Sequence, residues 1–418
     1  MSGTPLPASP SPVVGEVSVP GSKSETNRAL VFAALADGPS TLREVLDSRD
    51  STLMIDALRA LGVSIERAGT QAIVTPLVRF WGARDVDCGL AGTVMRFVPP
   101  VTLLGHGPTS FIGDPHASER PMKPLIDGLR QLGAIVSADA LPFRVVPPAV
   151  FGSIVAIDAS ESSQFVSGFL NVAPRLPEGL TVRHTGGALP SRPHIEMTVR
   201  MLRARGVQVD EPDEHTWVVA PGPIRALDVT IEPDLTNASV FLAAAAATGG
   251  RVTVPGWAPD SLQPGRLFLD IAQQMGATVE SDDGAVTLQG PAQLTGVDVD
   301  LSAASELTPC VAALGALAEG ETTIRGVAHI RGHETDRIAA LVAELRKLGV
   351  AAEETPDGLR LTGGAGLRPA VVETYADHRM VHFAAIVGLR NPGTSVTDLQ
   401  CVSKTMPAFP QQWAGLVA

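Results

Sequence analysis

At six points along this 418-residue chain, a polar and often cationic cluster directly precedes an apolar helical run. The clusters are Ser22-Lys23-Ser24 with Asn27 and Arg28, Leu90-Ala91-Gly92-Thr93, Ser162-Ser163-Gln164, Thr236-Asn237, Ser302 with Glu306, and Asp377-His378-Arg379. In any one copy, Ser, Thr, Asn or Asp can simply cap the orphan N–H groups of its helix, and Thr236-Asn237 is assigned no other role. Taken together, the clusters do more. Free N–H groups and the positive end of the helix dipole attract anions, and several converging starts could hold more than one anionic group. Lys23, Arg28 and Arg379 stand where the dipole disfavours cations, a penalty that a bound anion removes. Gly92 would let a ligand approach the backbone closely. Arg120, Arg331, His333, Arg337 and Lys404 add basic groups on connecting segments, with Glu334 and Asp336 beside them in RGHETDR.

The elements that must position these groups follow from a repeat. The segments ALRALGVSIE, GLRQLGAIVS, MLRARGVQVD, IAQQMGATVE and ELRKLGVAAE each read as a helix end, a glycine and a strand, and their glycines, Gly62, Gly133, Gly206, Gly276 and Gly349, recur every 70 to 73 residues. Each glycine falls where a helix wants a left-handed C′ residue. Six apolar helices, each followed by a turn and a strand, alternate with these segments. Their turn glycines, Gly38, Gly107, Gly179, Gly250, Gly320 and Gly393, keep the same period, and PQQWAGL supplies the sixth copy of the other helix. The unit reads as an α/β module of βαβαββ type that cannot bury both faces alone, so three units per domain is the expected grouping.

Composition bounds the class. With 44% hydrophobic residues, 41 Gly and 34 Pro, the chain is globular with many short elements. The net charge of −12 repels nucleic acid and anionic membranes. Cys88, Cys310 and Cys401 show no metal or disulfide spacing and read as small buried hydrophobes in a reducing compartment, which makes the chain an expected cytoplasmic protein. The N-terminal MSGTPLPASPSPVV lacks the pattern of a secretory signal and reads as a short flexible lead. The most apolar stretch, Val240 to Ala247, is too short to span a bilayer.

The motifs VPGSKSETNRAL, LAGTVMRF, ERPMKPL, SSQFVSG, SRPHIEMT, HETDRIA, YADHRM and SKTMP resemble, in order and throughout the chain, those of the EPSP synthase family of enolpyruvyl transferases. The resemblance implies two similar domains of three units each, an inside-out α/β barrel arrangement with a cleft that closes on substrates. It also implies that the first strand joins the C-terminal half, giving residues 1–20 with 232–418 as domain I and 21–231 as domain II. The implied reaction moves the enolpyruvyl group of phosphoenolpyruvate to the 5-hydroxyl of shikimate 3-phosphate and releases phosphate, in aromatic amino-acid biosynthesis. No metal or organic cofactor is implied, the small-molecule substrates are the only partners, and a monomer is expected.

By the matched motifs, Lys23, Gly92, Arg120, Gln164, Arg337, Arg379 and Lys404 are expected around phosphoenolpyruvate. Lys23, Ser24, Arg28, Ser162, Ser163, Gln164, Ser191, Glu306 and His333 are expected around shikimate 3-phosphate. Glu306 would deprotonate the hydroxyl, while Glu334 and Lys23 would move the methylene proton. Gly92 leaves room for glyphosate, the family's inhibitor. The chain departs from the common pattern at Glu306, where aspartate is usual, at Leu90 and His329, where asparagine is usual, and at His333, where lysine is usual. A sister enzyme acting on a UDP-linked amino sugar uses a loop cysteine, which GDPHASERPMKP lacks. Two alternatives stay open: a paralogue with another cyclic acceptor, and a catalytically silent relative that binds phosphorylated metabolites.

Overall fold

The computed structural model describes residues 3–418 except 78, 84, 283 and 365. The chain divides into two compact units, residues 1–20 with 232–418 and residues 21–231. The repeat is most plainly seen in the last copy of the second unit. There Ile154–Ile157, the helix Gln164–Val172, Leu180–His184, the helix Arg192–Ala204, Val209–Asp213 and Thr216–Val219 follow one another. The first two strands pair in parallel through the crossover helix, and the last two form an antiparallel hairpin beside them. Five four-stranded sheets among the described residues have this order, and a sixth has three strands.

Two sheets borrow their first strand from a distant part of the chain. Val14–Glu16 pairs in parallel with Arg251–Pro255, while Val229–Thr230 pairs in parallel with Ser40–Arg43. The three-stranded sheet is completed in a similar way: Thr4–Pro5 lies antiparallel to Ser395–Val396, which is parallel to Val371–Val372. The N-terminal segment is therefore not the flexible lead its composition suggests. Its short strand occupies the edge that the sixth copy, lacking a hairpin of its own, leaves unpaired.

In each unit three apolar helices pack on one another. They are Lys23–Leu35, Gly92–Val101 and Gln164–Val172 in one unit and Leu235–Thr248, Thr308–Leu317 and His378–Arg390 in the other. Beyond their first turns they are buried on every side, as helices with apolar residues all round must be. The amphipathic helices Arg49–Ala60, Lys123–Gln131, Arg192–Ala204 and Arg337–Lys347 each bury one face only. The five repeated glycines after the second helices all have positive φ, between 82° and 103°, which favours a residue without Cβ. Cys88 and Cys310 are buried, as hydrophobes would be, but Cys401 is only half-buried.

Candidate active site

Capping chemistry separates the six helix starts. Ser22, Asp234 and Asp377 accept hydrogen bonds from N–H groups of their own first turns. At Leu235–Thr248 the cap is Asp234, two residues before Thr236 of the Thr236-Asn237 pair. The helices beginning at Gly92, Gln164 and Thr308 follow Ala91, Ser163 and Leu307 and have no side-chain cap. At Gly92 the first N–H groups point out of the helix toward whatever occupies its N-terminal end, whereas the Gln164 N–H donates to Ser162 Oγ and the Phe165 N–H to the Ser162 carbonyl.

In the unit of residues 21–231, cations gather at these starts. Arg28 is almost fully buried, stacks over Phe97, and donates to Thr198 Oγ1 (2.7 Å), the Ser24 carbonyl (2.9 Å), the His194 carbonyl (3.0 Å) and Ser167 Oγ (3.2 Å). All four acceptors are neutral. Burial lowers its pKa to about 9, against a weak opposing pull from Glu25, so the guanidinium keeps its charge at neutral pH without a carboxylate bonded to it. Lys23 pairs with the buried Asp50 at 3.3 Å, and Ser24 Oγ lies 3.4 Å from His194 Nε2.

The next two helix starts share a second cationic group. Arg120 donates to the Leu90 carbonyl at 3.0 Å, so Leu90 contributes its backbone where the family pattern has an amide side chain. A Cβ built on Gly92 would stand 3.0 Å from Arg120 Nη2 and 3.2 Å from Arg96 Nη1. Arg96 also donates to Gln164 Oε1 at 3.0 Å. That bond fixes the Gln164 amide with its NH₂ available to donate. Ser162 accepts from the Gln164 N–H, Ser163 is buried at the helix start, and Ser191 precedes its helix at φ 51°, a strained backbone for a non-glycine residue. Arg96 escaped the sequence reading. Its signal was available, because it lies four residues after Gly92 in GTVMRF and so on the same helix face.

In the unit of residues 1–20 with 232–418, Arg337 is the centre. Only 1% of its side chain is exposed. Nε donates to Asp377 at 2.6 Å, Nη2 to Glu334 at 2.6 Å, and Nη1 to Glu306 at 2.9 Å. Burial alone would lower its pKa, but Asp377, Glu306 and Glu334 carry it well above the usual guanidinium range. Nη1 also meets His333 Nδ1 at 2.9 Å. A guanidinium only donates, so Nδ1 accepts and neutral His333 carries its proton on Nε2. Arg379 pairs with Glu306, and Lys404 with Glu334. Partial burial pushes the Glu306 carboxyl up, yet Arg379 and Arg337 outweigh it and hold the group well below the usual carboxylate range. His329 Nε2 lies 2.9 Å from Ser305 Oγ, and burial keeps that ring neutral.

In the sequence Asp377 reads as a helix cap only. It caps the Arg379 N–H and also holds Arg337, forty residues away in sequence, which no local pattern could show. Arg331 stays outside the cluster, on exposed ion pairs with Asp336 and Glu354. An uncapped helix start beside guanidinium groups in one unit, and a carboxylate clamped by two arginines in the other, are groups of the kind that an enzyme acting on small anions by proton transfer needs.

Comparison with known proteins gives that class its family. The sequence profile of EPSP synthase (3-phosphoshikimate 1-carboxyvinyltransferase) matches residues 7–413. A 3-phosphoshikimate 1-carboxyvinyltransferase of Mycobacterium ulcerans is 51% identical over 420 residues, covering 99% of this chain and 97% of that protein. One of Kocuria rhizophila is 51% identical over 421 residues, covering 97% and 94%. A structure of EPSP synthase from Acinetobacter baumannii aligns with a TM-score of 0.82 at 24% identity, over 99% of this chain and 97% of that one, a likeness of fold. The chain belongs to the EPSP synthase family.

Proposed function

We propose a division of labour among the described residues for the family's reaction, transfer of the enolpyruvyl group of phosphoenolpyruvate to the 5-hydroxyl of shikimate 3-phosphate with release of phosphate. Shikimate 3-phosphate is held by Arg28, Lys23, Ser24, Ser162, Ser163, Gln164, Ser191 and His333. Support comes from Arg28, whose buried charge is bonded only to neutral oxygens and so favours an anionic ligand nearby. For phosphoenolpyruvate the matched motifs assign Lys23, Gly92, Arg120, Gln164, Arg337, Arg379 and Lys404.

The observation that carries the mechanism is the clamp of Arg337 and Arg379 on Glu306. While clamped, the carboxylate is a poor base. An anion seated on the two guanidiniums takes up their charge and returns Glu306 toward its ordinary proton affinity, so base strength rises once the anionic substrate is in place. Glu306 then removes the 5-hydroxyl proton as that oxygen bonds to the central carbon of the enol, while Glu334 or Lys23 supplies a proton to the methylene carbon. The tetrahedral ketal so formed loses phosphate and one methyl proton to give the enolpyruvyl ether. Glu334, bonded to both Arg337 and Lys404, is placed to take that proton back.

The same reading makes the protein a cytoplasmic monomer, its compartment supported by three unpaired cysteines. Among the described residues no helix is long and apolar enough to cross a membrane. The test is phosphate release from phosphoenolpyruvate in the presence and absence of shikimate 3-phosphate. Release that requires both substrates is expected, and Arg337→Ala and Glu306→Gln should each suppress it. Full release by both variants would remove these residues from the mechanism.

A further inference from the structure

The backbone leading into the helix His378–Arg390 is strained. Tyr375 and Ala376 have φ 53° and 54°, two consecutive residues with a Cβ in the left-handed region, directly before Asp377. Such a conformation persists only where its surroundings impose it, and here the surroundings are explicit. The Tyr375 hydroxyl donates to Glu344 Oε1 at 2.8 Å. Glu344 is fully buried and also accepts from Lys347 Nζ (2.7 Å) and the Glu373 N–H (3.1 Å). Glu373 in turn accepts from the Thr374 and Tyr375 N–H groups and from Thr397 Oγ1.

The geometry gives this network a purpose beyond holding a loop. Glu344 lies seven residues after Arg337 on one helix, two turns along the same face. Tyr375 and Asp377 lie two residues apart on the facing segment. The helix and the segment are thus tied at two points, Arg337 to Asp377 and Glu344 to Tyr375. The helix is already held by its buried face, so the second tie acts on the strained segment, fixing the backbone that carries Asp377 and leads into Arg379 against the helix that carries Arg337.

We infer that Tyr375 is a positioning residue, whose bond to Glu344 sets where the Arg337 and Arg379 guanidiniums stand for the phosphoenolpyruvate anion. The inference rests on the assignment of those arginines to phosphoenolpyruvate made above. Burial and the Glu344 bond raise the tyrosine's pKa, so the hydroxyl remains a donor throughout the working pH range.

Steady-state kinetics with the two substrates varied separately test it. Tyr375→Phe, which removes only the hydroxyl, should raise KM for phosphoenolpyruvate fivefold or more while KM for shikimate 3-phosphate stays within twofold. Lys347→Met removes another bond to the same Glu344 oxygen without touching the segment, and should leave both constants within twofold. Arg337→Lys should raise KM for phosphoenolpyruvate, and the double variant with Tyr375→Phe should lose less than the product of the two single effects. A Tyr375→Phe enzyme with a lower melting temperature but unchanged KM for phosphoenolpyruvate, or with both KM values raised alike, overturns the inference. An Arg337→Lys enzyme with unchanged KM instead overturns the assignment of the arginines on which it rests. Tyr375 is the single tyrosine of the chain, so wild-type enzyme made with 3-fluorotyrosine carries one 19F resonance and needs no substitution. That resonance should shift when phosphoenolpyruvate joins the enzyme already bound to shikimate 3-phosphate, and a resonance that stays fixed at saturation counts against the brace.

Discussion

Gly92 and Arg120 are so close that a methyl group on the glycine would stand 3.0 Å from the guanidinium. The glycine therefore keeps open the space between an uncapped helix start and two arginines, Arg120 and Arg96, and its own φ does not require glycine. Gly92→Ala should raise KM for phosphoenolpyruvate about tenfold, roughly 1.4 kcal/mol of lost binding, and weaken glyphosate binding at least as much. Because the helix interior is untouched, the melting temperature should move little. An unchanged KM, measured beside inhibitor titration, would place the anion elsewhere.

Glu306→Gln keeps the shape and an acceptor for Arg337 but cannot take a proton. Turnover should fall about 10²-fold or more, the usual reach of a positioned general base, while shikimate 3-phosphate affinity by calorimetry stays within about threefold. The pH profile carries a second signature. Arg379 and Arg337 hold the free enzyme's Glu306 well below the ordinary carboxylate range, so it is ionised above that depressed value. The acid limb of kcat/KM, which reports the free enzyme, should not show a Glu306 ionisation at or above the ordinary value of about 4.3. With substrates bound and the arginines discharged, the corresponding limb of kcat should lie at higher pH.

Arg28→Lys should raise KM for shikimate 3-phosphate by about tenfold to a hundredfold. An ammonium has three donors on one atom and cannot serve Thr198, Ser167 and two carbonyls while also facing a ligand. Kinetics at saturating phosphoenolpyruvate isolate the effect. A KM within twofold of wild type would assign Arg28 a purely structural role.

His382 sets an acid limit to stability. It is fully enclosed on the helix His378–Arg390 with its ring 4.9 Å from Phe409, and neither ring nitrogen has a hydrogen-bond partner. Burial, helped by the Arg379 and Arg337 charges, pushes its pKa down to about 3 from 6.5. The unfolded chain therefore binds this proton more readily than the folded one. The full stability is present above pH 6.5 and falls as pH drops toward 3, by on the order of 5 kcal/mol over the whole interval. His382→Met should remove that part of the slope when urea midpoints are followed from pH 7 to 4. An unchanged slope would mean that other groups carry the acid sensitivity.

Much of the molecule was legible in the order of its residues. The period of about 71 residues, the glycines after the second helices and the polar helix starts are local signals, because a helix end must solve its own hydrogen bonding with residues close in sequence. The same locality explains why the basic groups and Glu306 could be named one by one. Arg96 was missed although its spacing from Gly92 put it on the right face.

Tertiary structure decided which of these groups meet. Arg337 and Asp377, Glu344 and Tyr375, Arg28 and Thr198, and Arg120 and the Leu90 carbonyl are pairs between separate elements. So are the strands Thr4–Pro5 and Ser395–Val396, joined across nearly the full length of the chain. Pairing between distant segments leaves no periodic trace, since it depends on how whole elements pack and on burial strong enough to make an unpaired charge or backbone edge costly. The sequence by itself determined the units, their number and the polar groups at their helix starts. Only packing decided that Glu306 is clamped by Arg337 and Arg379, and hence how firmly its proton affinity is held down until an anion arrives.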